Sequence, residues 1–100
     1  MSAEDLERYE SELELQLFRE YKDVVKTYTH IVETERRVYL ANGVTCEPRN
    51  DGGGRGWFEL NLSDAWVWDI YRPGPARFVA KVRVLTFRDV NIEQLAQPED

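Results

Sequence analysis

The hydrophobic positions of the first 28 residues repeat with the period of an α-helix. At about 100° per residue they form one stripe, made of Leu6, Tyr9, Leu13, Leu17, Tyr21, Val24 and Tyr28, with Phe18 and Val25 at its side. Ser2 and Asp5 have the spacing of a capping box, and Thr27 begins a run of β-branched and aromatic residues that favours a strand. The pattern predicts a long amphipathic helix that ends near Lys26.

Leu15 lies nearly opposite this stripe, among basic side chains. A single exposed Leu is common in folded proteins. The same position is also suited to contact with a partner.

The rest of the chain alternates with the period of β-strands. Residues 38–46, 57–62 and 78–84 each place apolar side chains on one face, and the Gly-rich residues 49–55 between the first two are typical of a hairpin loop. Short connections without a βαβ repeat favour an antiparallel sheet. The predicted fold is α+β: the helix packs on one face of a small antiparallel sheet of three to four strands, and the other face meets water or a partner.

Two segments have open interpretations. Residues 63–73 either continue a strand, with Trp66, Trp68 and Ile70 on one face, or form a short helix or turn around residues 64–71, which we favour. Asn91 and Gln94 indicate a cap for a final helical turn. Residues 1–96 are predicted to form a single domain, followed by a frayed tail at 97–100.

Composition limits the class of protein. The 100 residues are 42% hydrophobic and 32% charged, which suits one folded domain. One Cys and one His exclude an internal disulfide framework and a zinc-finger type site. The N-terminus is acidic, and no apolar run approaches the roughly 18 residues of a membrane span. We expect a cytoplasmic protein that has no membrane partner.

The net charge of -6 is concentrated at the two ends of the chain. Residues 1–28 carry eight acids and four bases, residues 29–91 eight acids and nine bases, and residues 92–100 three acids. This balance disfavours non-specific binding to a duplex, which depends on neutralising phosphates. A local basic patch in the middle segment is compatible with it.

Four sequence blocks resemble a family of small uncharacterised actinobacterial proteins that carry a domain-of-unknown-function label. The blocks are residues 2–10 (SAEDLERYE), 33–42 (ETERRVYLAN), 65–73 with 76–79 (AWVWDIYRP, ARFV), and 82–91 (VRVLTFRDVN). The resemblance implies no activity. It does imply genes that lie near those for type II ribonuclease H and a large-subunit ribosomal protein, and hence a role close to nucleic acid or translation. Gly74 and Pro75 look inserted relative to the family, and the Gly52–Gly54 loop looks longer.

Four carboxylates are candidates for a magnesium site of the kind that nucleases use: Glu33, Glu35, Asp69 and Asp89. In a strand, Glu33 and Glu35 would share one face. The other interpretation is salt bridging to Arg36, Arg37 and Arg77, because carboxylates beside arginines are usually paired structurally. We therefore predict no cofactor and no metal, and keep the carboxylate site as the alternative.

Three further features favour structural roles. His30 is expected to be a half-exposed strand residue, and Cys46 to be buried on the apolar face of its strand. Gly52–Gly56 lacks the Lys-Ser/Thr pair of a phosphate-binding loop and is predicted to be a flexible hairpin tip.

The tryptophan block is the most distinctive element of the chain. Aromatic residues next to arginines form platforms for single-stranded nucleic acid and hot spots for proteins, whereas core packing is the structural interpretation. The candidate binding residues are Trp66, Trp68, Asp69, Tyr71, Arg72, Arg77, Arg36 and Arg37. Lys81 and Arg83, together with Arg36 and Arg37, are expected on the uncovered side of the sheet or on a solvated face.

Two functions from different classes follow. The preferred one is a non-enzymatic interaction module that docks on a larger assembly such as RNA polymerase or the ribosome. Its acidic helix would face one basic partner and its Trp/Arg residues another. The alternative is a small metal-dependent nucleic-acid-processing enzyme that uses the carboxylates. Direct nucleic-acid contact is less favoured than protein contact, and Leu15 with the uncovered sheet face allows a homodimer.

Overall fold

The structure is a computed structural model that describes residues 2–96. One long helix, α1 (Ala3–Val24), precedes five strands: β1 (His30–Thr34), β2 (Val38–Asn50), β3 (Gly56–Val67), β4 (Phe78–Thr86) and β5 (Val90–Gln94). Two 3₁₀ turns, Val25–Thr27 and Gly74–Arg77, follow α1 and precede β4. The predicted α+β class is confirmed. The tail predicted at 97–100 lies outside the described residues.

The start and the end of α1 follow the local sequence. The Asp5 backbone N–H donates to the Ser2 hydroxyl oxygen at 3.2 Å, and the Ser2 backbone N–H donates to the Asp5 carboxylate at 3.4 Å. This capping box confirms the predicted start. The α-helix ends at Val24 and one 3₁₀ turn continues to Thr27, in agreement with the predicted end near Lys26. Within residues 2–96, no helix combines the length and apolar character needed to cross a membrane.

All five strands belong to one antiparallel sheet with the order β4-β3-β2-β1-β5. The prediction of three to four strands was therefore too low. The missed strand is β5, which we expected to be a helical turn capped by Asn91. It pairs with β1 instead, with Ile31 opposite Glu93. Backbone pairing with β1 decides its conformation, and five residues are too few to show a strand period.

The sheet is strongly curled, because its two edge strands are neighbours along the chain. Only residues 87–89 join β4 to β5. Four Cα–Cα steps of 3.8 Å span at most about 15 Å, whereas the edges of a flat five-stranded sheet lie about 19 Å apart. The end of β4 therefore comes round to the β1–β2 turn, where the Thr86 hydroxyl donates a hydrogen bond to the Glu35 carboxylate.

The curl buries one sheet face on itself. Every strand contributes to this interior: Val32, Tyr39, Ala41, Leu60, Leu62, Ala65 and Val67 are buried, and Val44, Val79, Val82, Val84 and Val90 pack against them. We expected this face to meet water or a partner. That expectation was wrong, because a curled sheet covers its own concave side.

The helix packs on the opposite face, as predicted. Leu17, Tyr28, Leu40 and Trp66 form this second core, joined by Tyr21, Val24, Val25, Ile31, Trp68, Ile70 and Leu95. Among the residues of α1, Leu17 is the one that is fully buried. The stripe therefore contacts the sheet through its C-terminal half.

The alternation of inward-facing and outward-facing side chains is interrupted in β3 at Asp64. In β3, Leu60 and Leu62 face the interior, and past Asp64 the interior positions are Ala65 and Val67. Asp64 has a φ of 50°, in the left-handed region, and its carboxylate accepts a hydrogen bond from Asn42 Nδ2 at 2.6 Å. The break lets both halves of a long strand turn apolar side chains into the same interior.

Residues 64–71 do not form the short helix that we favoured. β3 continues to Val67, and a turn at Ile70 and Tyr71 follows. Trp66, Trp68 and Ile70 all belong to the core under α1, as in the alternative interpretation. Pairing with β2 and β4 on both sides satisfies more backbone groups than a short helix would.

Cys46 is exposed, contrary to the prediction. It is paired with the buried Leu60, but β1 pairs with β2 only as far as Ala41. Residues 42–50 therefore lie at an open end of the sheet. His30 is half-buried, as predicted, with Nδ1 2.8 Å from the Thr29 hydroxyl oxygen, and residues 51–55 form the predicted hairpin loop.

Candidate functional site

Trp66 is a core residue rather than a surface residue. Its side chain is 0% exposed, and its ring lies 6.1 Å from the Tyr21 ring and 5.9 Å from the Trp68 ring. The core interpretation therefore holds for this tryptophan. Its Nε1 has no hydrogen-bond partner within residues 2–96.

Trp68 instead lines a surface cavity beside α1. This cavity, which we call the helix–turn cavity, has a volume of about 360 Å³. Its walls are Glu14 from α1, Arg36 and Arg37 from the β1–β2 turn, and Trp68, Asp69, Ile70 and Tyr71 from the segment after β3. Five of the eight predicted binding residues thus meet at one place: Trp68, Asp69, Tyr71, Arg36 and Arg37.

Asp69 organises the charged side of the cavity. Its Oδ2 lies 2.6 Å from Arg37 Nη1 and 3.3 Å from Arg72 Nε, and its Oδ1 accepts the Tyr71 backbone N–H at 3.0 Å. Burial alone would raise the pKa of Asp69. The Tyr71 N–H and the charges of Arg37 and Arg72 outweigh it, so the pKa lies below its usual range. The expected salt bridge between Arg37 and a carboxylate is present here.

Arg77 serves the fold rather than the cavity. Its Nε lies 2.5 Å from Glu20 Oε2 of α1, and its side chain is 15% exposed. A second guanidinium nitrogen donates to the Arg72 carbonyl. Arg77 therefore fastens the segment before β4 to the helix, while Arg72 donates to Asp69 and to the Ala76 carbonyl.

Tyr71 and Arg36 are exposed members of this group. Tyr71 is 69% exposed, and its hydroxyl donates to Glu10 Oε1 at 3.0 Å. That hydrogen bond is the largest cause of a raised pKa at Tyr71. Because Glu10 and Glu14 both belong to α1, the cavity opens directly beside the N-terminal half of the helix.

The four candidate carboxylates lie in different surroundings. Glu35 accepts a hydrogen bond from the Thr86 hydroxyl, and Asp69 forms salt bridges with Arg37 and Arg72. Glu33 and Asp89 are exposed. In the part of the chain that the structure describes, no three His, Cys, Asp or Glu side chains are grouped so that they could hold a metal ion.

The four basic residues expected on one uncovered face are separated. Arg83 pairs in register with Asn61 in the middle of β3, and its Nε lies 2.5 Å from Glu59 Oε1. Arg37 precedes Val38, at the end of the sheet where β3 finishes. Lys81 and Arg83 therefore belong to a different surface from Arg36 and Arg37.

Sequence reasoning missed the exposed N-terminal half of α1. Leu6 and Tyr9 lie on the same stripe as Leu17, yet they are 46% and 53% exposed. Residues 3–14 also carry six acids and one base. The available signal was the length of the stripe, because 22 helical residues extend about 33 Å, which is more than a small sheet covers.

A family model described as "Protein of unknown function (DUF2469)" matches residues 1–100. The chain belongs to this family. Uncharacterized protein Rv2901c of Mycobacterium tuberculosis (strain ATCC 25618 / H37Rv) is 64% identical over 99 residues, which cover 99% of this chain and 95% of that protein. Uncharacterized protein Mb2925c of Mycobacterium bovis (strain ATCC BAA-935 / AF2122/97) is similar to the same extent. No solved structure matches the chain.

The family match extends over the whole chain. It includes the exposed half of α1, the helix–turn cavity and all five strands. The resemblance to actinobacterial proteins with a domain-of-unknown-function label is confirmed.

Proposed function

We propose that this protein is a non-enzymatic, cytoplasmic docking module that binds a basic protein of the transcription or translation machinery. The observation that carries the proposal is the exposed N-terminal half of α1. It combines a continued apolar stripe with a dense acidic charge, and the rest of its own domain leaves it uncovered.

The apolar part of this surface is an extension of the core stripe. Leu17 buries its side chain against the sheet, whereas Tyr9 and Leu6, about two and three turns nearer the start of the helix, are about half exposed. An amphipathic helix laid into a groove is a common mode of protein recognition. A partner that covers Leu6 and Tyr9 would remove their apolar surface from water, which stabilises the complex.

The charged part of the surface defines the chemistry of the partner. The acids of this half-helix, Glu4, Asp5, Glu7, Glu10, Glu12 and Glu14, are opposed by Arg8 alone. A basic surface complements them and increases the rate of association. Clustered Lys and Arg are typical of proteins that bind nucleic acid, and such proteins make up much of the transcription and translation machinery. The gene neighbourhood that the family resemblance implies points the same way.

The helix–turn cavity extends this surface. Its wall includes Glu14, and the exposed Tyr71 is hydrogen-bonded to Glu10. A single partner that lies along α1 would therefore also reach Tyr71 and Arg36. An exposed aromatic ring beside an arginine is a frequent composition of interface hot spots.

The metal-dependent enzyme has no comparable support. Its four carboxylates are dispersed among three environments, and two of them already have partners within the protein. No observation favours it over the docking module.

The test is an affinity purification from native cytosol with the full chain as bait, with and without nuclease, followed by mass spectrometry. We expect one stoichiometric basic protein that survives nuclease treatment and is released by salt. It should be lost with the double variant Leu6→Ala/Tyr9→Ala. The matched control is Phe18→Ala, which truncates a similarly exposed apolar side chain in the C-terminal half of α1.

Two results would contradict the proposal: no stoichiometric protein partner remains after nuclease treatment, or the double variant still captures the partner. Thermal unfolding of each variant shows beforehand that the fold is retained.

A further inference from the structure

The outer face of β2, β3 and β4 carries a second surface that neither α1 nor the interior uses. Register places its side chains in three rows that point away from the curled interior. The rows are Thr45, Glu47 and Arg49 on β2; Trp57, Glu59, Asn61 and Ser63 on β3; and Lys81, Arg83 and Leu85 on β4, with Phe87 directly after it. We call this surface the outer face.

A groove crosses the outer face at the level where the strands change their alternation. Its volume is about 570 Å³, the larger of the two cavities described here. The outward side chains that line it are Thr45, Asn61, Ser63, Lys81 and Arg83. Gly43, which has no side chain, also lines it. The groove exists because short side chains on β2 and β3 lie beside long basic ones on β4.

The charge of the groove is positive. Lys81 is exposed and has no ion-pair partner within residues 2–96. Arg83 contacts Glu59 through Nε, but its side chain is 66% exposed, so its remaining N–H groups stay accessible. The groove therefore offers cationic donors together with the hydroxyl and amide groups of Thr45, Ser63 and Asn61.

The acids of the outer face are neutralised by arginines. Glu59 lies between Arg49 at 3.1 Å and Arg83 at 2.5 Å, and Glu47 lies 2.6 Å from Arg49. The hydrogen bond from Arg49 is the largest cause of a lowered pKa at Glu59. These carboxylates are thus compensated, and the charge of Lys81 is not.

Two aromatic rings stand at the hairpin end of the same face. The rings of Trp57 and Phe87 lie 5.9 Å apart with an angle of 42° between their planes. Phe87 is 66% exposed. An exposed ring of this kind offers a surface on which a nucleic-acid base can stack.

We propose that the outer face binds a single strand of nucleic acid, with bases stacked on Phe87 and Trp57 and phosphates held by Lys81 and Arg83. The distance along β3 supports a strand rather than a mononucleotide. Ser63, which pairs with Lys81, lies six residue steps along β3 from Trp57, a distance of about 20 Å at about 3.3 Å per residue. Only a chain of several nucleotides reaches both ends.

The composition of the outer face also favours binding of a single strand over binding of a duplex. One uncompensated lysine and a partly engaged arginine provide little of the phosphate neutralisation that duplex binding requires. Exposed rings, in contrast, gain nothing from bases that are already stacked in a duplex. Hydroxyl and amide side chains add contacts to phosphate and sugar without reading sequence.

The test uses the full chain and a dye-labelled single-stranded RNA of about eight nucleotides, a length within the site sizes of single-strand-binding folds. Fluorescence anisotropy at low salt measures its affinity for the wild type, Phe87→Ala and Lys81→Gln. Both side chains are exposed, so their truncation leaves the core intact. Phe18→Ala and Lys26→Gln are matched controls on α1 and the turn after it, and an equally long duplex and a mononucleotide are the comparison ligands.

We expect the wild type to bind the single strand, and Phe87→Ala and Lys81→Gln each to bind it roughly tenfold more weakly, the size of one lost stack or contact. The controls should bind like the wild type, and the mononucleotide and duplex much more weakly than the single strand. The proposal is overturned if the single strand does not bind, if both Phe87→Ala and Lys81→Gln bind like the wild type, or if the duplex binds equally well. Because this face is separate from α1, the variant Leu6→Ala/Tyr9→Ala should retain the affinity, which distinguishes this proposal from the docking function.

Discussion

The Thr86 hydroxyl donates a hydrogen bond to the Glu35 carboxylate across a sequence separation of 51 residues. Thr86 is fully buried at the end of β4, and Glu35 lies in the turn between β1 and β2. This contact connects one edge strand to the far side of the sheet. It therefore marks the point at which the curled sheet closes over its interior.

Replacement of Thr86 by Val should raise the pKa of Glu35 toward the ordinary value of about 4.3. The hydrogen bond from Thr86 is the largest cause that lowers this pKa. A pKa that is lower in the folded state stabilises the protein above the unfolded pKa, and this contribution disappears as the pH falls through the folded pKa. A pH titration of the Glu35 side chain by NMR measures the shift in Thr86→Val. An unchanged pKa, or an equal change in the exposed control Thr45→Val, would contradict the expected role of the hydrogen bond.

Asp69→Asn should destabilise the protein by about 1–2 kcal/mol near neutral pH, because Arg37 and Arg72 lose their charged partner. The pKa of Asp69 is lower in the folded state than its usual value of about 3.9. The stabilisation is therefore present above that value and is lost as the pH falls through the lower folded pKa. Urea unfolding at a series of pH values should show the wild type and the variant converging in acid. Parallel curves would mean that the cluster contributes nothing through charge.

Trp66→Ala should cost about 3–5 kcal/mol of unfolding free energy, since it removes the largest fully buried side chain of the chain's described part. Tyr71 lies five residues further along the chain and is mostly exposed, so Tyr71→Ala should change the unfolding free energy by about 0.5 kcal/mol or less. Chemical denaturation of the two variants measures both values. Equal costs would place the two aromatic residues in the same environment and contradict the structure.

Leu17→Ala and Leu6→Ala compare two positions of one helical stripe. The first should cost about 2–5 kcal/mol because it leaves a cavity under α1, and the second about 0.5 kcal/mol or less because Leu6 is already half exposed. Thermal and urea unfolding test the difference. A large cost at Leu6 in the isolated protein would show that this half of α1 is covered.

Gly43→Ala should destabilise the fold by about 1 kcal/mol or less, because a Cβ at this position would overlap the Ser63 hydroxyl oxygen, which must then rotate to another rotamer. In the Ser63→Ala background the same change should cost less, since the Ser63 Cβ lies at 3.4 Å. A double-mutant cycle measures this coupling. Gly53→Ala in the hairpin loop is the control and should be close to neutral. Additive effects of Gly43→Ala and Ser63→Ala would remove the steric explanation.

The sequence identified several residues of the candidate site but not how they are arranged. The sequence named Arg37 and Asp69 among the candidate residues without pairing them, and in the structure they form a 2.6 Å salt bridge. It did not separate Trp66 from Trp68, because both have the same strand parity and both face the helix. The difference arises where α1 crosses the sheet, which depends on contacts such as Arg77 with Glu20, 57 residues apart.

Features that depend on near neighbours in the chain follow from local sequence alone. Ser2 and Asp5 set the start of α1, the stripe from Leu6 to Val24 set its apolar side, and the Gly-rich loop set the β2–β3 hairpin. Helix caps, helical periodicity and tight turns involve residues within a few positions of one another. These elements are found where the pattern predicts them.

What packs on each side of those elements depends on long-range contacts in the folded protein. The curl of the sheet turned the face that we expected to be open into a core, the open end of β2 left Cys46 exposed, and pairing with β1 made a strand of Val90–Gln94. Each of these outcomes depends on residues distant in sequence that meet only when the chain closes. The periodicity of the sequence predicts which side chains share a face, whereas the closure of the sheet determines whether that face is covered.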